Sequence, residues 1–82
     1  MLSAVIAVLI SQRTDDAPKF QEVLTKHGCI IRTRLGLHEV DNCREDGLII
    51  LHVSGTDEDV TCLAADINAL KNIRAKVMKL DF

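Results

Sequence analysis

Residues 4–10, AVIAVLI, are apolar at odd and even positions alike, the pattern of a strand covered on both sides. The period then lengthens. In DDAPKFQEVLTKHG, Phe20, Val23, Leu24 and His27 recur at i, i+3, i+4 and i+7, which predicts an amphipathic helix of about three turns. Asp15 or Asp16 is placed to cap it, Pro18 suits its first turn and Gly28 can stop it. CIIRTRLGLHEV, 29–40, returns to period two. Ile31, Thr33, Leu35 and Leu37 share one face, and Arg32, Arg34, Gly36 and His38 the other. The spacing predicts a strand with one dry and one charged face.

After a polar turn at 41–46, GLIILHVSG is again apolar on both faces and reads as a second central strand. TDEDVTCLAADINALKN opens with a T-x-x-D variant of the capping box, Thr56 and Asp59, and carries Val60, Leu63, Ala64, Ile67 and Leu70 at helical spacing. Acidic residues crowd its first turn, where the helix dipole favours them. Asn72 can close the helix in a left-handed conformation. IRAKVMKL then alternates Ile73, Ala75 and Val77 against Arg74, Lys76 and Met78.

The order strand, helix, strand, strand, helix, strand predicts an α+β fold of ferredoxin-like βαββαβ type, a four-stranded antiparallel sheet with both helices on one face. No linker, repeat or charge block divides residues 1–82, so one domain is expected. Two helices cover only one side of a sheet whose central strands are apolar on both. A dimer or tetramer joined through the sheet would cover the other side. Arg32, Arg34, Arg74 and Lys76 are then expected to rim that interface or to line a pocket beside it.

Composition narrows the function. A chain of 82 residues makes one small core. With 48% apolar residues and only two aromatics, that core is aliphatic and offers little to stack on nucleic-acid bases. A net charge of -2 lacks the basic excess that phosphate affinity needs, so direct nucleic-acid binding is not expected. Three cysteines without a C-x-x-C pair fit free thiols in a reducing cytoplasm. The N-terminal apolar run lacks a basic leader region and falls far short of the roughly 20 residues that span a bilayer, so no membrane role is expected.

The stretch LHEVDNCREDG, 37–47, gathers His38, Glu39, Asp41, Cys43, Glu45 and Asp46. His38 and Cys43 supply the imidazole and thiolate that a transition metal takes at about 2–2.3 Å. They are half a site and would need donors from another subunit. The alternative is a hairpin turn, in which Asp and Asn stabilise the backbone. His52 shares parity with Leu48 and Ile50. It reads as a satisfied core or interface histidine, or as a third donor if the second and third strands pair near His38 and His52. His27 is expected to serve the end of the first helix.

Cys29 and Cys62 read as small buried hydrophobes and Cys43 as the reactive thiol. The spacing does not match a calcium loop, and Gly28, Gly36, Gly47 and Gly55 stand singly, without a phosphate-binding motif. Covalent catalysis needs a nucleophile beside a base and an orienting group, which in so small a chain would have to be assembled mainly across subunits, so an enzyme is not expected. The sequence requires no cofactor, and a transition metal is the alternative.

Three stretches, AVIAVLI, RTRLGLHEVDNCREDGLIILHVSGT with its R-x-G before a polar turn, and DINALKNIRAKVMKL, resemble the ACT-like iron-only hydrogenase system regulators nearly end to end. The resemblance implies an ACT-like regulatory module tied to hydrogenase maturation or expression, answering to a small-molecule effector or a partner protein. SGTDEDVTCLAADINALKNIR is also similar to the ligand-sensing C-terminal domain of nickel-responsive repressors, which assembles through its sheets. Those repressors bind DNA through a separate N-terminal ribbon-helix-helix, and this chain starts at its first strand.

Aligned on GTDEDV, the repressors' strand ligands fall near Arg34, Gly36 and Gly47, which cannot ligate nickel, and Cys43 falls in a longer turn. ACT domains that bind amino acids carry a glycine between first strand and first helix, where this chain has RTDDAPK. That departure speaks against an amino-acid effector and leaves room for another small ligand at a subunit interface, with Arg32, Arg34, Gly36, Arg74 and Lys76 as candidate ligand or interface residues.

Overall fold

In the computed structural model, which describes residues 2–10, 17–37 and 47–80, the element order is β1 (Leu2–Ile10), α1 (Ala17–Lys26), β2 (Ile31–Leu37), β3 (Gly47–Gly55), α2 (Asp57–Asn68) and β4 (Ile73–Lys79). The sheet runs β2-β3-β1-β4, with every neighbouring pair antiparallel. This is the ferredoxin-like arrangement that the hydrophobic periods predict.

Parity decides which half of each strand is buried. Ala4, Ile6, Val8 and Ile10 of β1, Ile49, Leu51 and Val53 of β3, and Ile73 of β4 form one core with Phe20 and Leu24 of α1 and Val60, Leu63 and Ile67 of α2. Each large aliphatic side chain sealed there contributes roughly 1.5–3 kcal/mol by leaving water. Both helices thus lie on one side of the sheet.

The start of α2 is fixed locally. Thr56 Oγ1 accepts from the Asp59 N–H at 3.0 Å, and Asp59 Oδ2 accepts from the Thr56 N–H at 3.1 Å, the reciprocal capping box. Just before it, Gly55 is buried, and a Cβ there would lie 2.8 Å from Ile30 Cγ2 and 3.2 Å from Asp59 Oδ2. Only glycine lets β3 run so close to both. At the other end the helix closes at Ala69, and Leu70 N–H donates to the Ile67 carbonyl. Asn72 has the expected left-handed backbone, φ 67°. It lies in the turn into β4, beyond the Ala69 cap, and not at the helix terminus.

Asn68 staples the free edge of β4. Its Oδ1 accepts from the Ala75 N–H at 2.8 Å, and its Nδ2 donates to the Ala75 carbonyl at 3.1 Å. The side-chain amide thus imitates a neighbouring strand at one residue. At the end of α1, Gly28 donates to the Thr25 carbonyl without a left-handed φ, and the expected cap at Asp15 or Asp16 lies outside the described residues.

Two expectations need correction. Cys29 and Cys62 are exposed, not buried. Cys62 flanks the stripe that α2 buries through Val60, Leu63 and Ile67, and Cys29 sits in the turn before β2. The second correction concerns β2. Ile31 pairs with Val53 but Thr33 pairs with His52, so a bulge at Arg32 changes the parity of the strand. Ile31 packs on the core, whereas Thr33 and Leu35 turn to the opposite face of the sheet. The side expected to be dry is therefore the one that neither α1 nor α2 covers.

No helix among the described residues is long and apolar enough to cross a membrane.

Candidate functional site

The sheet face turned away from α1 and α2 is one candidate surface, and the strand register gives its map. Leu35, Ile50, Ala7 and Lys76 form one row across β2-β3-β1-β4, and Thr33, His52, Val5 and Met78 form the next. Leu48, Leu9 and Arg74 continue the pattern on the other side of the first row. Leu9 is 50% exposed, Leu35 53% and Met78 63%. Such side chains exposed singly are ordinary, but here they join Val5, Ala7, Leu48 and Ile50 into one aliphatic surface, which is the mark of an interaction site.

The register also places polar residues on this face, among them Ser3, Thr33, His52, Arg74 and Lys76. Ser3 Oγ lies 3.0 Å from His52 Nε2, joining β1 to β3 and giving the imidazole a partner within its own chain. The cations that the register places on this face are Arg74 and Lys76, both on β4 at one edge, and Arg74 donates to the Ile73 carbonyl at 3.1 Å.

The basic residues singled out in the sequence are not brought together. Arg34 pairs with Leu51 and so points to the helix side, where its guanidinium donates to Gln21 Oε1 at 2.7 Å and stands 5.9 Å from the Phe20 ring centre. It ties edge strand β2 to α1 by a hydrogen bond and a cation–π contact. Arg32 is exposed in the bulge. Gly36 pairs with Ile49, and a Cβ there would meet no atom within 4 Å. Of this set the register places Arg74 and Lys76 on the open face.

The metal candidates separate as well. His52 pairs with Thr33, four residues along the ladder from the Leu37–Leu48 pair that leads toward position 38, roughly 13 Å away at strand spacing. His52 therefore pairs with the start of β2 and not with its end. His38 and Cys43 lie outside the described residues. Among the described residues no three His, Cys, Asp or Glu side chains cluster in a way that would hold a metal ion.

A second, shallower feature runs between the helices. Lys19, Glu22, Val23, Lys26, Asp66 and Leu70 line an open groove of about 440 Å³. His27 Nε2 donates to Asp66 Oδ2 at 2.7 Å, and Lys26 Nζ does so at 3.3 Å. These hydrogen bonds, His27 first and Lys26 second, hold the Asp66 carboxyl below its ordinary pKa. His27 thus clips the end of α1 to α2. The groove walls carry both signs of charge, which selects for no one kind of ligand.

Sequence reasoning located both apolar faces of β1 and β3 but not the Ser3–His52 contact. Nothing local in SAV or LHV signals that residues 49 positions apart meet. It also grouped Arg34 with Arg74 and Lys76, because the bulge that separates them has no glycine to announce it.

Comparison with known proteins agrees with the fold. No curated protein matches the chain in sequence. The chain superposes on the structure of uncharacterized protein TM1266 from Thermotoga maritima with a TM-score of 0.87 at 15% identity, covering 96% of both chains. It is also similar to a formyltetrahydrofolate deformylase from Pseudomonas putida KT2440, with a TM-score of 0.59 at 8% identity, over 93% of this chain but 28% of that one. At these identities the likeness speaks for the fold alone. The TM1266-like family, described as "Iron-only hydrogenase system regulator, putative", matches residues 3–77. With nearly its whole length matched, the chain belongs to the TM1266-like family of iron-only hydrogenase system regulators.

Proposed function

We propose that the protein is a regulatory module of an iron-only hydrogenase system that acts as a homo-oligomer and has no catalytic activity of its own. In this reading copies join through the open sheet face, and a small-molecule effector or partner protein changes that association. The observation that carries it is the continuous aliphatic surface of Val5, Ala7, Leu9, Leu35, Leu48 and Ile50 on the side away from both helices. Family membership supports the regulatory role. The exposed free thiols Cys29 and Cys62 favour a reducing compartment such as the cytoplasm.

Sedimentation equilibrium tests the association. The wild-type chain is expected to associate at micromolar concentrations, and Ile50→Glu, which puts a charge at the middle of the face, is expected to be a folded monomer. A wild-type chain that stays monomeric at high micromolar concentration would overturn the reading. An effector is then sought by thermal shift, since a ligand that binds only the folded state raises Tm in proportion to RT ln(1 + [L]/Kd).

A further inference from the structure

Resting on that reading, we propose how the second copy sits: the two open faces stack about a two-fold axis parallel to the strands, between β1 and β3, so that β4 of each copy covers β2 of the other. Three observations converge on this arrangement. They concern area, charge and shape.

Strands about 4.8 Å apart with a rise of about 3.4 Å per residue give the four-stranded face a footprint of roughly 19 by 24 Å, about 450 Å². Two such footprints approach the ~1,000 Å² of total buried surface that a specific interface needs. An offset dimer overlapping only the three aliphatic strands would offer about 340 Å² per copy and fall well short. Of the two, only the arrangement that covers the whole face, β4 included, comes near that size.

Charge then selects the axis. The charges that the register places on this face are Arg74 and Lys76, both positive and both on β4. Sheets packed face to face keep their strands nearly aligned, about 10 Å apart. A two-fold perpendicular to the strands would lay β4 on β4 and bring four like charges together, which is unfavourable at an interface. A two-fold parallel to the strands lays β4 over β2 instead. The alkyl stems of Arg74 and Lys76 then cover the partner's strand, and their charged heads reach water at its edge.

Shape agrees. An axis between β1 and β3 sets each Ile50 over the small Ala7 of the partner subunit, because both lie in one row of the register. Lys76, in the same row, comes over Leu35, the apolar residue of β2 that is 53% exposed. Large side chains meet small ones, and the bare leucine gains a cover.

The row Leu35, Ile50, Ala7, Lys76 also supplies the test. Leu35 and Lys76 occupy opposite edges of one sheet, three strand spacings or about 14 Å apart. Within a chain they do not meet, so any charge coupling between them runs through the partner copy. Sedimentation equilibrium is measured on wild type, Leu35→Lys, Lys76→Glu and the double variant, with circular dichroism to show that each is folded. The expected result is at least tenfold weaker association for Leu35→Lys and recovery of most of that loss in Leu35→Lys/Lys76→Glu.

Association of the wild type without that recovery would overturn the stacking while leaving self-association intact. So would stronger association of Lys76→Glu alone, the signature of β4 lying on β4. A monomeric wild type would overturn both this arrangement and the function it rests on.

Discussion

Leu51 and Ile50 are neighbours in β3, yet the register sends them to opposite faces, and their truncation should separate core packing from association. Leu51 is fully buried, pairs with Ile6 and belongs to the core that α1 and α2 close. Leu51→Ala removes three carbon atoms from that site, worth about 2.4 kcal/mol at ~0.8 kcal/mol per buried CH₂. The cavity left behind adds to this, and the usual range for such a change is about 2–5 kcal/mol. For 82 residues the unfolding entropy is about 0.17 kcal/mol/K, so a loss of ~3 kcal/mol lowers Tm by roughly 17 °C.

Ile50→Ala, on the open face, should cost under about 1.5 kcal/mol in the dissociated chain. Its larger effect should appear only at concentrations where copies associate. Urea unfolding followed at 222 nm, at two protein concentrations, measures both. A Leu51→Ala penalty below about 1 kcal/mol, or an equal penalty for Ile50→Ala in the dilute monomer, would refute the assignment of faces.

Three other outcomes are expected. Gly55→Ala should destabilise by about 1–3 kcal/mol in urea unfolding, because its methyl would press on Ile30 and Asp59, while Gly36→Ala, with open space around it and no left-handed backbone, should be neutral or stabilising by up to about 1 kcal/mol. Thr56→Ala should cost about 1 kcal/mol by removing one half of the capping box of α2, and Thr56→Ser should restore most of it. Asp66 is held below its ordinary pKa by His27 and Lys26, so its contribution to stability is present above about pH 4 and lost as pH falls through the lowered value. An Asp66→Asn variant should therefore narrow its gap to wild type in unfolding experiments as the buffer is taken from pH 6 to pH 3.

The fold was legible in the chain because its signals are local. Apolar residues at both parities in AVIAVLI and GLIILHVSG, the helical repeat of Phe20, Val23 and Leu24, and the Thr56–Asp59 cap each concern residues a few positions apart. Short-range periodicity is what backbone geometry imposes on a sequence. The prediction that one sheet face would stay uncovered followed from counting helices against apolar strand faces.

What the sequence could not reveal depends on pairing between distant strands. The bulge at Arg32 is a mismatch between β2 and β3, so it emerges only when Ile31 meets Val53 and Thr33 meets His52. That one-residue shift moved Leu35 to the open face and Arg34 onto Phe20 and Gln21. The same long-range register paired Ser3 with His52 and aligned Leu35, Ile50, Ala7 and Lys76 in one row. Periodicity along the chain says that a strand has two faces; only the ladder across the sheet decides which side chains share them, because register is a relation between segments and not a property of either.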